Sequence, residues 1–177
     1  PTKFTGTTSY SKGISCKPFT LNLTASSGAN LKYKSSNTKI LTVSSLGLVT
    51  TKGFGIATIK VSAPTVNGYY ASTKVISLKV KPNKQVISVS NSSRGKLKIA
   101  FKKTSNISGY EIKYSTSKTF KSNVAIVYVK TSKASSRTFK VYHRGHTYYA
   151  KVRSYYTLKN HTKIYGSYSI VKSVKVK

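Results

Sequence analysis

Apolar and polar side chains alternate with a period of two in segment after segment of this chain, and the spacing of an amphipathic helix is absent. In "GIATIKVSA", Ala57, Ile59 and Val61 share one face while Ile56, Thr58 and Lys60 share the other. The segments "TKILTVSS", "KLKIAFKK", "GYEIKYS", "NVAIVYVK" and "TYYAKVRSYY" have the same character, separated by Gly, Ser and Asn turns. Short strands at this spacing predict an all-β fold, a sandwich or barrel. Hydrophobic residues make up 38% of the chain, rich in Val, Ile and Tyr, enough for a modest core and too many for disorder. No apolar run approaches the roughly 20 residues of a membrane span. The segment "VKPNKQ" around Pro82 breaks the alternation and marks a boundary between residues 1–81 and 82–177. Each part holds roughly seven short strands, the count of an immunoglobulin-like sandwich. Two tandem immunoglobulin-like β-sandwiches are therefore expected.

The charge is as uneven as the patterning is regular. Thirty-two Lys and Arg stand against one acidic side chain, Glu111, for a net charge of +31. A calcium or magnesium cage needs several carboxylates, and most glycoside hydrolases need a pair. The chain has no Asp, so a Ser-His-Asp triad cannot be built. Catalysis within this chain is therefore not expected, and neither is a cofactor. Folding does not require such an excess of cations; it creates a positive potential that attracts polyanions and that salt screens. Residues 1–82 carry +11 and residues 83–177 carry +20, including all four arginines, so the second part is the expected stronger attractor.

The segment "LKYKSSNTKILTVSSLGLVTTKGFGIATIKVSA" resembles the bacterial immunoglobulin-like group 2 domain. The carrying elements are Ser35-Ser36-Asn37, Val43, Gly47-Leu48-Val49 and Gly55-Ile56-Ala57-Thr58-Ile59. The segments "SGYEIKYSTSKTF", "HRGHTYYAKVRSYY" and "YGSYSIVKSVKV" resemble a fibronectin type III domain of surface proteins of gut Firmicutes. Tyr148, three residues after Gly145, falls where that family places a tyrosine whose hydroxyl ties a crossover loop to the sheet. Phe101 stands where the family has a core Trp, and Tyr142 where it has a Leu. The resemblance implies a secreted or wall-associated protein, extracellular in location, in which such tandems serve as spacers or adhesive arms.

Three histidines, His143, His146 and His161, lack a nearby Cys or carboxylate to complete a metal shell, and no metal site is expected. The lone Cys16 allows no internal disulfide. The chain begins at Pro1 and has no Met, which predicts a processed piece of a longer product. In "GYEIKY", inward Tyr110, Ile112 and Tyr114 leave Glu111 and Lys113 pointing out. In the fibronectin-like arrangement Glu111 then shares an exposed outer face with Lys151 and Arg153, in a cross-strand pair contributing a few tenths to ~1 kcal/mol. Tyr149, Lys151, Arg153 and Tyr155 form an alternating aromatic and basic strip that could stack rings and hold anions. With Arg144 and Arg137 they are the candidate ligand-binding residues. The expected partner is an anionic wall polymer or extracellular polysaccharide, such as teichoic acid, with non-specific nucleic acid as another polyanion that fits. The competing readings are an accessory tail of a wall-active enzyme whose catalytic domain lies elsewhere, and a purely structural or filament subunit.

Overall fold

A computed structural model describes residues 1–66 and 68–177. The chain divides into two compact units, Pro1–Lys81 and Pro82–Lys177. Among the described residues none is helical, so no helix is long and apolar enough to cross a membrane. The fold is all-β, as the alternation predicts.

The first unit contains β1 (Phe4–Gly6), β2 (Ser9–Gly13), β3 (Phe19–Thr20), β4 (Leu23–Ala25), β5 (Lys32–Ser35), β6 (Leu41–Val43), β7 (Leu48–Thr51), β8 (Gly55–Ala63) and β9 (Ser72–Lys81). A four-stranded sheet runs in the order β2-β9-β8-β5, a three-stranded one in the order β3-β7-β6, and β1 pairs with β4. β2 runs parallel to β9; the other pairings are antiparallel. Ala57, Ile59 and Val61 of β8 lie on the core face with Ile76, Leu78 and Val80 of β9, against Leu21, Leu41 and Val49. Gly47 turns β6 into β7 at φ 76, a left-handed conformation that Gly adopts without steric cost. Cys16 is half-buried, with its sulfur 3.8 Å from the Thr51 hydroxyl.

The second unit contains β10 (Ile87–Ser93), β11 (Lys96–Phe101), β12 (Gly109–Ser115), β13 (Ala125–Val129), β14 (Ser136–Lys140), β15 (Thr147–Thr157), β16 (Lys163–Tyr165) and β17 (Lys172–Lys175). One sheet has the order β10-β11-β14, and the other β13-β12-β15-β16 with β17 also pairing to β15. Leu97, Ile99, Tyr110, Ile112, Ala150 and Val152 are fully enclosed between them. Phe101 fills the place read as aromatic, its ring 4.4 Å from that of Tyr110. Tyr148 is buried, and its hydroxyl accepts a hydrogen bond from the His143 amide at 3.3 Å, tying the preceding loop to the sheet.

Each unit encloses its own apolar core, so residues 82–177 expressed alone should unfold in one cooperative transition. A broad, non-cooperative melt of that fragment would mean that the second unit depends on the first.

Candidate functional site

Register alone assembles the most unusual cluster in the molecule. Across β13, β12 and β15, Tyr128, Glu111 and Arg153 are direct partners in one rung, and Ile126, Lys113 and Lys151 form the next. Alternation had placed Glu111 on the outer face, and that is where it lies. It is not exposed, however: Glu111 is 1% accessible, which corrects the expectation of a surface pair. The reason is a second layer of rings from distant segments. Tyr128, Tyr165 and Tyr168 close over the carboxylate and its partner.

The carboxylate is fully engaged. Arg153 donates from Nε to Oε1 at 3.1 Å and from Nη2 to Oε2 at 2.9 Å, the two-point geometry that suits a guanidinium. The Tyr128 hydroxyl donates to Oε2 at 3.0 Å and the Tyr168 hydroxyl donates to Oε1. Lys113 Nζ stands 4.0 Å from Oε1. Burial by itself would raise the Glu111 pKa, but the hydrogen bonds from Arg153, Tyr168 and Tyr128 outweigh it and hold the carboxyl below its ordinary value. The Tyr168 and Tyr128 phenols are pushed well above their ordinary values. For Tyr168, burial leads and Glu111 adds to it; for Tyr128, the hydrogen bond with Tyr165 leads.

The cations of this face are capped by rings. The Arg153 guanidinium lies 3.7 Å from the Tyr165 ring centroid and 4.5 Å from that of Tyr168. Lys151 Nζ lies 4.2 Å from Phe120 and 4.8 Å from Tyr168, and Lys163 Nζ lies 4.4 Å from Tyr128. Such contacts contribute about 0.5–1 kcal/mol each at exposed sites and more where water is excluded. The Lys151 ammonium is held below its ordinary pKa by burial first, then by the charges of Lys113 and Arg153.

The six candidate residues are not brought together. Tyr149, Lys151 and Arg153 share the outer face of β15, half-buried. Tyr155 shares it too but is 3% accessible, a second correction, because the rings of Tyr128 and Tyr165 pack against it with centroids 6.0 Å and 5.9 Å away. Arg137 lies in β14 of the other sheet, and Arg144 lies in the exposed turn before β15, its Nε directed over Gly95. An incoming anion would have to displace a buried carboxylate to use the Arg153 fork. The cluster holds three strands together and neutralises one charge. Its covering residues, Phe120, Tyr165 and Tyr168, were not among the sequence candidates. Among the described residues no group of three His, Cys, Asp or Glu is placed to hold a metal ion.

Residues 19–65, from β3 to just past β8, match the family model of the immunoglobulin-like domain of intimin. The matched segment of the first unit is immunoglobulin-like in fold. A solved structure of the FN1–FN3 domains of chicken CNTN1 aligns at 16% identity and a TM-score of 0.47, over 85% of this chain. The chain spans 58% of that structure's length. No curated protein matches the chain by sequence.

Proposed function

We propose that this chain is a non-catalytic spacer and adhesion segment of a secreted or cell-surface protein, holding anionic polymers through its lysine-rich surface. One observation carries the reading. The chain has a single acidic side chain, and that side chain is buried against Arg153, so no carboxylate side chain offsets the exposed lysines. A surface with one sign of charge attracts polyanions over a distance of about a Debye length, roughly 8–10 Å in ordinary buffers. The match to an intimin immunoglobulin-like domain supports an extracellular or surface location. Two small sandwiches in tandem suit a spacer, since each buries its own core.

The test is a titration of heparin, a glycerol phosphate polymer and duplex DNA at two salt concentrations. For the duplex, the logarithm of affinity should fall with the logarithm of salt at about −0.9 per phosphate neutralised. Six to ten contacts would then cost about three to five orders of magnitude between 50 and 200 mM salt. Tight, salt-insensitive binding to one ligand would defeat the reading and point to a shaped pocket instead.

A further inference from the structure

The outer face of the sheet β2-β9-β8-β5 carries a set of cations that nothing in its unit compensates. Its inner face is consumed by the core, so the alternate residues face outward. Lys34 of β5 and Lys60 of β8 are direct register partners, and Lys60 is in turn opposite Val75 of β9. Two residues along, Lys32 is opposite Ser62 and Ser62 opposite Thr73. At the other end Lys79 is flanked by Ile56 and Ser11, and between them lies a rung of Ser9, Ser77 and Thr58. The four lysines are exposed. The strand positions of Lys32 and Lys34 are thus about 7 Å apart along β5 and those of Lys34 and Lys60 about 5 Å apart across the pair, with Lys79 two rungs further on.

Like charges directly opposite on a sheet destabilise it. The second unit offers an internal comparison. There Lys113 and Lys151 are also direct partners, but Glu111 lies one rung away and the ring of Tyr168 lies beside both ammonium groups. The first unit has no acidic residue, and its outer rungs contain no ring. The Lys34–Lys60 rung is therefore left for a ligand to neutralise.

The chemistry of the face narrows the ligand. The first unit contains no arginine, so it lacks the planar fork that grips carboxylate or phosphate in two-point contact; its ammonium groups are compact point charges that hold a row of phosphates by spacing and charge rather than by shape. Among the described residues the rungs themselves present no aromatic side chain, so they offer no platform for stacking bases of the kind that binders of single-stranded nucleic acid use. Serine and threonine between the lysines can bond to backbone hydroxyls. An open groove of about 430 Å³ bordered by Lys32, Ser62, Thr73 and Pro64 extends the face at one end. Resting on the polyanion reading above, we infer that this face is the main docking surface for a linear phosphate polymer with a polyol or sugar backbone. Phosphates seat on the Lys34–Lys60 rung and on Lys32 and Lys79. The second unit has the greater charge, yet its outer sheet face is occupied by its own rings and carboxylate.

The experiment compares K32S/K34S/K60S with K118S/K130S/K133S, three exposed lysines of the second unit, so that both variants lose the same charge. A glycerol phosphate polymer and single-stranded DNA of equal phosphate number are the probes. The face variant should bind the polymer at least about 30-fold more weakly, with a salt slope shallower by about two to three. The control should lose less than about threefold. K60T alone, which puts a good strand former on the exposed rung, should lose about three- to tenfold, and melting curves of all variants should match the parent. Equal losses in the two triple variants would overturn the assignment to this face while leaving the polyanion reading intact. Failure of the unmodified chain to bind any of these polymers would remove both. Tighter binding of the DNA than of the polymer would overturn the choice of a ring-free backbone.

Discussion

Glu111→Gln should lower the melting temperature of the second unit by about 8–24 °C at neutral pH. Removing one member of a buried ion pair typically costs 3–5 kcal/mol, because the other charge is left without a partner. Arg153 keeps 24% of its side chain accessible, which lets water soften the loss to about 2–3 kcal/mol. For a unit of this size each kcal/mol shifts the midpoint by about 4–8 °C. The pH dependence should change with it. The folded carboxyl has its pKa depressed below the ordinary 4.5, so its contribution is complete above that value and is lost as pH falls through the folded value. Because no other acidic side chain exists in the chain, the difference in stability between parent and variant below about pH 4.5 reports this one group. The carboxylate at the chain end titrates in both and cancels. Melting curves at pH 7 and pH 3 are sufficient. The gap between parent and Glu111→Gln should be wide at pH 7 and narrower at pH 3. A gap that is small at pH 7, or unchanged at pH 3, would show that the pair contributes little.

Gly109→Ala should cost about 3 kcal/mol in the same unit, at the top of the usual range for forced overpacking. Gly109 opens β12, directly opposite Tyr155 in β15. A methyl group there would overlap the carbonyl oxygen of Val129 and come within 2.8 Å of the Tyr155 hydroxyl. The first obstacle is backbone of the adjacent strand, which cannot turn aside as a flexible side chain would. The substitution therefore pushes β13 away from β12 at the end nearest the Tyr128–Glu111–Arg153 rung. A drop of about 12–24 °C in the melting temperature is expected. Gly145→Ala is a useful contrast, since Gly145 has a left-handed φ of 77 but open space around it. It should cost only about 1–2 kcal/mol, the penalty of that conformation for a residue with a Cβ. If Gly109→Ala costs no more than Gly145→Ala, the strand yields and the steric argument fails.

Sequence patterning carried the fold a long way and the cluster only part of the way. The alternation in "GIATIKVSA" correctly separated buried Ala57, Ile59 and Val61 from the outward Ile56 and Lys60, because two-residue periodicity is a local property of a pleated strand. Tyr148 was legible from its position after Gly145, and its hydroxyl does reach the loop before it. For Glu111 and Tyr155 the same alternation gave the right face and the wrong exposure. Period two says which side of a sheet a residue takes, not whether something else lies over that side. The cover comes from Tyr128, 17 positions after Glu111, and from Tyr168, 57 positions after it. Contacts at such separations leave no local trace. One hint was available: a lone carboxylate among 32 cations, in a unit rich in Tyr, is poorly explained as an ordinary solvated pair. The lysine rung of the first unit was hidden for a related reason, since Lys34 and Lys60 become neighbours only when β5 and β8 pair in this register.

The parallel pairing of β2 with β9 has a mechanical consequence. Ser9–Gly13 lies alongside Ser77–Lys81 in the same direction, extended by hydrogen bonds from Ser77 to Thr8 and from Ile14 to Lys81. Tension applied where the chain enters β2 and where it leaves β9 pulls the two strands past each other along their length. The backbone hydrogen bonds between them are then loaded together, whereas an antiparallel terminal pair would let them open one after another like a zip. A module tethered at one end and gripped at the other would resist extension in this direction until the whole patch slid at once.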